Sequence, residues 1–471
     1  MQPVPRTSGP GGAADTPFPS GLGNALRETR KALSNIEKFN PQVNAMIAVT
    51  ADQALEAAAQ LDRAAEEGRW CGLLHGMTIS IKDNVDVKGV PTTAASGILR
   101  ENVARSNAFI VDRLLGNGAV IVGKANLHEW VFGPTSQSRH FGPVRNPWNL
   151  AHVAGGSSGG SGASVAAGMC VASIGSDTAG SIRLPSAFNG TAGLRPTVGR
   201  ISSRGSLPVS APFDTLGPLA RRVSDVARVF AAIAGHDPQD PISVDQPVPE
   251  FLATLSEPIR GMRLGIMRRW FFDDLHPDIA IAMNQAIETF RSLGVELVEL
   301  DLGDVENAQE NLTFTVVPSD AMYLHQERIA ARAADYGEDV LMRMRISERV
   351  TGVRYAQSLR WMENWRHRLR QAFRNVDAIL SPTTPEPAPA VEGLDFGEAI
   401  RRIPRFSCVW PAAGIPSLAV PCGTTRETGI PVSLELAGAW FDEPRLLRLG
   451  HAFQMATDHH LRTAPLIRAQ G

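Results

Sequence analysis

Lysine is scarce in this 471-residue chain: Lys31, Lys38, Lys82, Lys88 and Lys124 are the whole set, and arginine carries the positive charge of everything that follows. Any lysine chemistry must come from those five. Cysteine is rarer still. Cys71, Cys170, Cys408 and Cys422 stand far apart with no Cys-x-x-Cys pair, which reads as reduced thiols and argues against a disulfide framework. The eleven histidines contain no His-Glu-x-x-His pattern, so neither a metal nor another cofactor is expected. No run of about eighteen apolar residues is present to span a membrane. A net charge of −2 without an extended basic stretch gives nucleic-acid or membrane-surface binding no electrostatic support. Residues 1–23 are rich in Pro, Gly, Ala and Ser, lack the apolar segment of a secretory signal, and read as a loose arm. These absences leave a cytoplasmic globular enzyme as the expectation.

Three positions have local sequence suited to catalysis. Lys82 ends the apolar alternation Met77-Thr78-Ile79-Ser80-Ile81, which reads as a strand entering a core. Burial disfavours the ammonium, so a lysine there, with no carboxylate on its face, is a candidate base. Asp83 is adjacent, but neighbouring side chains of a strand point to opposite faces. A strand-end lysine reaching solvent is the plain alternative. Further on, Gly155-Gly156-Ser157-Ser158-Gly159-Gly160-Ser161-Gly162 precedes the small, apolar segment Ala163 to Val171 and reads as a loop feeding a helix. A Walker-type phosphate cradle would need a Gly-Lys-Ser/Thr ending, which is missing. A nucleophile elbow would need a strand directly before it, where Asn146 to His152 is a polar loop. The third element is a short strand, Val171 to Ile174, running into small residues and then Ser181. Such residues let successive backbone N–H groups converge, as an oxyanion hole requires, with Thr178, Ala179, Gly180 and Ser181 as donors. An ordinary turn fits the same composition.

Taken together, these motifs resemble the amidase signature family, whose mark is a Ser-cisSer-Lys triad. The separations Lys82 to Ser157 and Ser157 to Ser181, 75 residues and then 24, match that family. Likeness continues through Gly123-Lys124-Ala125-Asn126, Gly193-Leu194-Arg195-Pro196-Thr197 and Ala413-Gly414-Ile415-Pro416, from about residue 25 to residue 465. The resemblance implies that Ser181 is the nucleophile, Ser157 the proton relay and Lys82 the base, acting on a small-molecule amide without metal or cofactor. It also implies that Asp177 and Arg183, with Ser158, support the nucleophile loop from behind; a solvated Asp177–Arg183 ion pair is the alternative. By the family layout, Trp130, Phe132 and Gly133 lie near the acyl pocket with Gly155 and Gly156, which suggests an apolar or aryl amide, an ester or a carbamate; core packing is the other role open to the two aromatics. Aryl acylamidases and urethanases, catabolic amidases of nitrogen-rich compounds such as biuret derivatives, and the glutaminase component of glutamyl-tRNA amidotransferase all belong to this family. Ala179 and Leu184 replace a Gly and a Gln usual in the amidotransferase block, which speaks against that branch. Many relatives pair, so a homodimer is open.

The expected fold is α/β: an α/β/α sandwich of the amidase-signature type with a large mixed, mainly parallel, twisted sheet. Leu264 to Met267, Ile279 to Leu293 and Val295 to Leu302 read as one β-α-β unit. Proline-rich Asp237 to Glu250 is the candidate linker between halves, yet the segments at 378–380, 417–420 and 432–436 read as strands returning to the same sheet, so residues 24–471 are expected to form one domain. Residues 319–374 are helical in pattern and dense in Arg. They read as a lid-like insertion, with solvated helix faces or an anion-selecting Arg cluster as the two roles for that charge.

Overall fold

The computed structural model describes residues 24–468; the expected N-terminal arm lies outside them. Thirteen strands occur among the described residues: β1 Met46–Val49, β2 Thr78–Lys82, β3 Val120–Ala125, β4 Arg145–Asn146, β5 Asn149–Val153, β6 Ala172–Asp177, β7 Ala192–Arg195, β8 Thr215–Ala220, β9 Arg263–Ile266, β10 Glu296–Glu299, β11 Ala378–Pro382, β12 Ser417–Thr424 and β13 Pro431–Gly438. Eleven of them form one sheet in the order β1-β3-β2-β6-β8-β7-β12-β13-β11-β9-β10, and β4 pairs with β5 apart from it. The strands on both sides of the proline-rich segment therefore share a single sheet.

Alternation along the central strands builds a core on each face. Ile79 and Ile81 of β2 and Ile121 of β3 pack against the helices Phe109–Gly116, Val223–Ile233 and Pro277–Ser292. Val120 and Val122 point the other way, into a core made with the helices Ala25–Val43 and Ala51–Glu66. Burying each such side chain contributes roughly 1.5–3 kcal/mol. A third core lies under the helical segment: Val340, Met344, Met362 and Trp365 meet Ile379 of β11 and Ala437 of β13.

The sheet is mixed, but it is not mainly parallel. Four pairings are parallel, β2/β3, β2/β6, β9/β11 and β9/β10, and six are antiparallel, β1/β3, β6/β8, β7/β8, β7/β12, β12/β13 and β11/β13. Helical crossovers give the parallel pairs β2/β3 and β9/β10, and such crossovers are what the sequence periodicity reports. The antiparallel excess comes from β8, inserted between β6 and β7 against both, and from the β12/β13 hairpin, whose short turn admits only antiparallel strands.

Candidate active site

Lys82, at the end of β2, is fully buried, and its Nζ lies 2.7 Å from Ser157 Oγ and 2.8 Å from Ser176 Oγ. Its two hydrogen-bond partners are thus hydroxyls. Burial pushes the Lys82 ammonium well below the ordinary lysine value, and the more distant charges of Asp177 and Asp214 oppose this without reversing it. Asp83 points to the opposite face, where it pairs with Lys124 at 2.7 Å. The alternation of the strand keeps the adjacent carboxylate away from Lys82.

Ser157 follows a cis peptide bond at Gly156–Ser157. Its carbonyl accepts from His128 N–H at 3.0 Å and from Ser136 Oγ at 3.1 Å, which holds the loop against residues 128–136. Gly156 must be glycine: a Cβ there would sit 2.6 Å from the Gly133 carbonyl oxygen. Ser158 Oγ donates to the Ser176 carbonyl at 3.1 Å and accepts the Ser176 N–H at 3.3 Å, binding the glycine run to β6. The helix after it, Gly159–Ala166, starts four residues earlier than the apolar pattern suggested, because glycines and serines alone fit where every position is buried.

Ser181 is half-buried, and its Oγ has no hydrogen bond among the described residues. Its carbonyl accepts from Ser158 N–H at 3.2 Å, so the two serine-bearing loops touch through backbone. Of the four expected oxyanion donors, Gly180 is otherwise engaged: its N–H donates to Asp177 Oδ1 at 2.8 Å, while Ile182 N–H donates to Oδ2 at 3.0 Å. The N–H groups of Ala179 and Ser181 have no partner among the described residues. Thr178 Oγ1 donates to Asp214 Oδ1 at 2.5 Å.

Behind this loop lies a buried charge network. Arg183 donates to Asp177 through Nε and Nη2, each at 3.0 Å, and through Nη1 to Glu435 Oε1 at 2.5 Å and to the Ser407 carbonyl at 2.7 Å. Arg195 donates to both the carbonyl and the carboxylate of Asp177. All four side chains are fully buried, so the solvated ion pair is excluded. Burial alone would raise the Asp177 carboxyl, but the two guanidiniums hold it well below the usual carboxylate range. Burial raises Glu435, with Arg183 countering, and lowers Arg195 to about 10.

The segment 128–133 is clasped by the helices Val317–Arg332 and Glu338–Met344. Trp130 stacks on Tyr336 at 5.6 Å between ring centroids and meets His325 edge-on at 4.6 Å; His128 Nε2 lies 2.7 Å from Asp339 Oδ2. Trp130 and Phe132 are only 4% and 2% exposed, so packing is the role their contacts serve. The Arg-rich surface divides. Arg345, Arg354, Arg360 and Arg368 face carboxylates on partly or fully exposed helix faces. Arg343 is buried, its guanidinium 4.2 Å from the Phe132 ring, with no hydrogen bond or ion pair among the described residues. Burial lowers it to about 10, with Asp339 as the opposing charge.

Sequence reading missed Ser176, Arg195, Glu435 and Asp214. A signal existed for three of them: Ser176 and Arg195 lie inside blocks that carried the resemblance, and Glu435 is a lone charge in an apolar strand. Asp214 had none. Among the described residues no cluster of three or more His, Cys, Asp or Glu could hold a metal, and no helix is long and apolar enough to cross a membrane.

Comparison with known proteins bears on the same residues. The family model described as Amidase matches residues 27–447. The amidase-type component of the Geotalea daltonii glutamyl-tRNA(Gln) amidotransferase is 37% identical over 470 residues, covering 94% of this chain and 96% of the relative. A solved structure described as a vestigial protein complex that reveals the origins of an s-triazine catabolic enzyme is 32% identical, with TM-score 0.87, covering 93% of this chain and 96% of its own. A bacterial aryl acylamidase shares the fold at TM-score 0.83 and 23% identity, covering 93% and 94%.

Proposed function

This chain belongs to the amidase family, whose enzymes hydrolyse amide C–N bonds, and from that premise we propose that it cleaves a small amide through Ser181, Ser157 and Lys82. The observation that carries this reading is the 2.7 Å contact between a buried, deprotonation-prone Lys82 and Ser157 Oγ, on a face free of any paired carboxylate. In the reaction, neutral Lys82 takes the proton of Ser157 as Ser157 takes that of Ser181, and Ser181 Oγ bonds to the amide carbonyl carbon. The oxyanion then faces the free N–H groups of Ala179 and Ser181. The proton returns through Ser157 to the departing nitrogen, the C–N bond breaks, and water cleaves the remaining ester. The Asp177–Arg183–Arg195–Glu435 network holds the backbone so that these donors do not reorganise during the reaction.

The substrate carries an anionic group beside its amide. Phe132 and Trp130 are covered by the helical segment, whereas Arg343 is a buried guanidinium lacking a partner on the Phe132 side of the loop that abuts Gly156. A second reading, favoured by 37% identity over nearly the whole chain, is an amidase component that works with a partner chain. Both are tested by turnover of anilides, carbamates and primary amides with and without a carboxylate, using wild type and Ser181→Ala. Wild-type turnover lost in the variant and strongest on carboxylate-bearing amides supports the first reading. Activity kept in Ser181→Ala overturns it, and silence of the isolated wild type favours the second.

A further inference from the structure

A continuous set of hydrogen bonds runs from the helical segment to the nucleophile loop without passing through Lys82. Tyr355, on the helix Gly352–Ala372, donates to Asp320 Oδ1 at 2.9 Å, and Asp320 lies on the helix Val317–Arg332. Ser210 Oγ donates to the other oxygen of that carboxylate. The backbone N–H of Ser210 donates at 3.0 Å to Asp214 Oδ2, which also accepts Val209 N–H at 2.8 Å. Asp214 Oδ1 receives Thr178 Oγ1 at 2.5 Å, and Thr178 opens the loop that ends at Ser181. Ser210, fully buried, thus bridges two carboxylates, one belonging to the insertion and one to the loop. Arg195 adds a brace, since its Nη2 donates to the Phe213 carbonyl at 2.8 Å while its Nη1 grips Asp177.

We propose that Asp320, Ser210 and Asp214 are positioning residues that couple docking of the helical insertion to the geometry of the Thr178–Ser181 backbone. None of them reaches Lys82, Ser157 or Ser181 by hydrogen bond, so they act on the reaction only through Thr178 and the loop it begins. The physical reason for the arrangement is that short loops of small residues hold no shape of their own. With Gly180 at φ +137°, the Ala179 and Ser181 N–H groups converge only if both ends of the loop are fixed. Asp177 fixes one end from below, and the Asp214–Ser210–Asp320 chain fixes the other from the insertion. An undocked insertion leaves Thr178 without its outer anchor, so acylation waits for closure over the substrate.

This inference rests on Ser181 as nucleophile, and the test separates the two. Acylation by a serine-directed probe and by a chromogenic amide is followed in single turnover for wild type, Ser181→Ala, Ser210→Ala, Asp320→Asn, Tyr355→Phe, Thr178→Val and Thr178→Ser, each first checked for its thermal unfolding midpoint. Ser210→Ala, Asp320→Asn and Thr178→Val are expected to slow acylation at saturating substrate about tenfold to a hundredfold while the half-saturating concentration stays within about twofold, as for a small displacement of aligned groups. Thr178→Ser restores the rate. In Tyr355→Phe/Thr178→Val the loss is smaller than the product of the single losses. Acylation retained by Ser181→Ala overturns the nucleophile. Abolished acylation in Ser181→Ala, with wild-type rates in folded Ser210→Ala and Asp320→Asn, overturns the coupling alone.

Discussion

Two lysines sit side by side at the heart of the sheet, both fully buried, and their surroundings differ in one respect. Lys124 is 2.7 Å from Asp83 and donates to the Pro91 carbonyl and to Thr92 Oγ1, each at 3.0 Å. Lys82 touches only the hydroxyls of Ser157 and Ser176. Burial lowers both, but at Lys124 the Asp83 carboxylate opposes it from contact distance, while at Lys82 the nearest opposing charges belong to Asp177 and Asp214. Burial therefore does not make a base by itself; burial away from an ion-pair partner does. One lysine closes a structural bridge to the loop at residues 91–95, and the other is left with a lone pair to use.

That contrast fails if the two lysines prove interchangeable. Lys82→Met is expected to lower kcat by several orders of magnitude, beyond the roughly 10²–10⁴ that general-base catalysis alone contributes, because the nucleophile also loses its relay. Ser181→Ala should match it and leave no acyl adduct by intact-mass measurement. A Lys82→Met enzyme within tenfold of wild type ends the assignment of Lys82 as the base.

At Lys124 the loss should appear as stability. Lys124→Met strands the buried Asp83 carboxylate and is expected to cost about 3–5 kcal/mol in denaturant unfolding, while Lys124→Met/Asp83→Asn recovers much of it. A comparable loss of about 3–5 kcal/mol is expected for Arg183→Met, which leaves Asp177 and Glu435 facing each other. There activity falls as well, because the nucleophile loop rests on Asp177.

Titration separates the lysines further. Between the lowered Lys82 value and the ordinary lysine value of about 10.4, the unfolded chain binds a proton that the folded chain does not, so this group makes stability rise with pH across that window. Thermal unfolding of wild type against Lys82→Met from neutral to alkaline pH should show that rise in the wild type only. The same lowered value sets the acid limb of kcat/KM, which falls as the ammonium forms. At the other extreme, Arg360→Ala removes an exposed pair with Glu363 and is expected to change stability by less than about 0.5 kcal/mol in the same assay.

The catalytic candidates were legible because each is written in local chemistry: a lysine closing an apolar strand, a serine inside a glycine run, a serine after a row of small residues. The β-α-β unit was legible for a similar reason, since an amphipathic helix between two apolar runs has its own periodicity. The sheet's direction was not, because a strand's sequence does not record which neighbour it meets or which way that neighbour runs. Trp130 and Phe132 show the same gap. Their types fit a pocket and a core equally well, and only Tyr336, His325 and Arg343, about two hundred residues away, decide the matter.

Local sequence is enough to place Lys82 and Asp83 on opposite faces, since a strand alternates whatever surrounds it. Where Lys124 points depends on the folded sheet. A register shift between Ile79 and Ser80 carries the β2/β3 pairing from Ile121 to Gly123 in one step, which sets Lys124 beside Ile81, on the face of Asp83. Unbroken alternation from Ile121 would have put it on the face of Lys82, a second buried cation beside the candidate base. Side-chain period is local, but register is set by the partner strand, and here the partner supplies the one extra residue that keeps the two lysines apart.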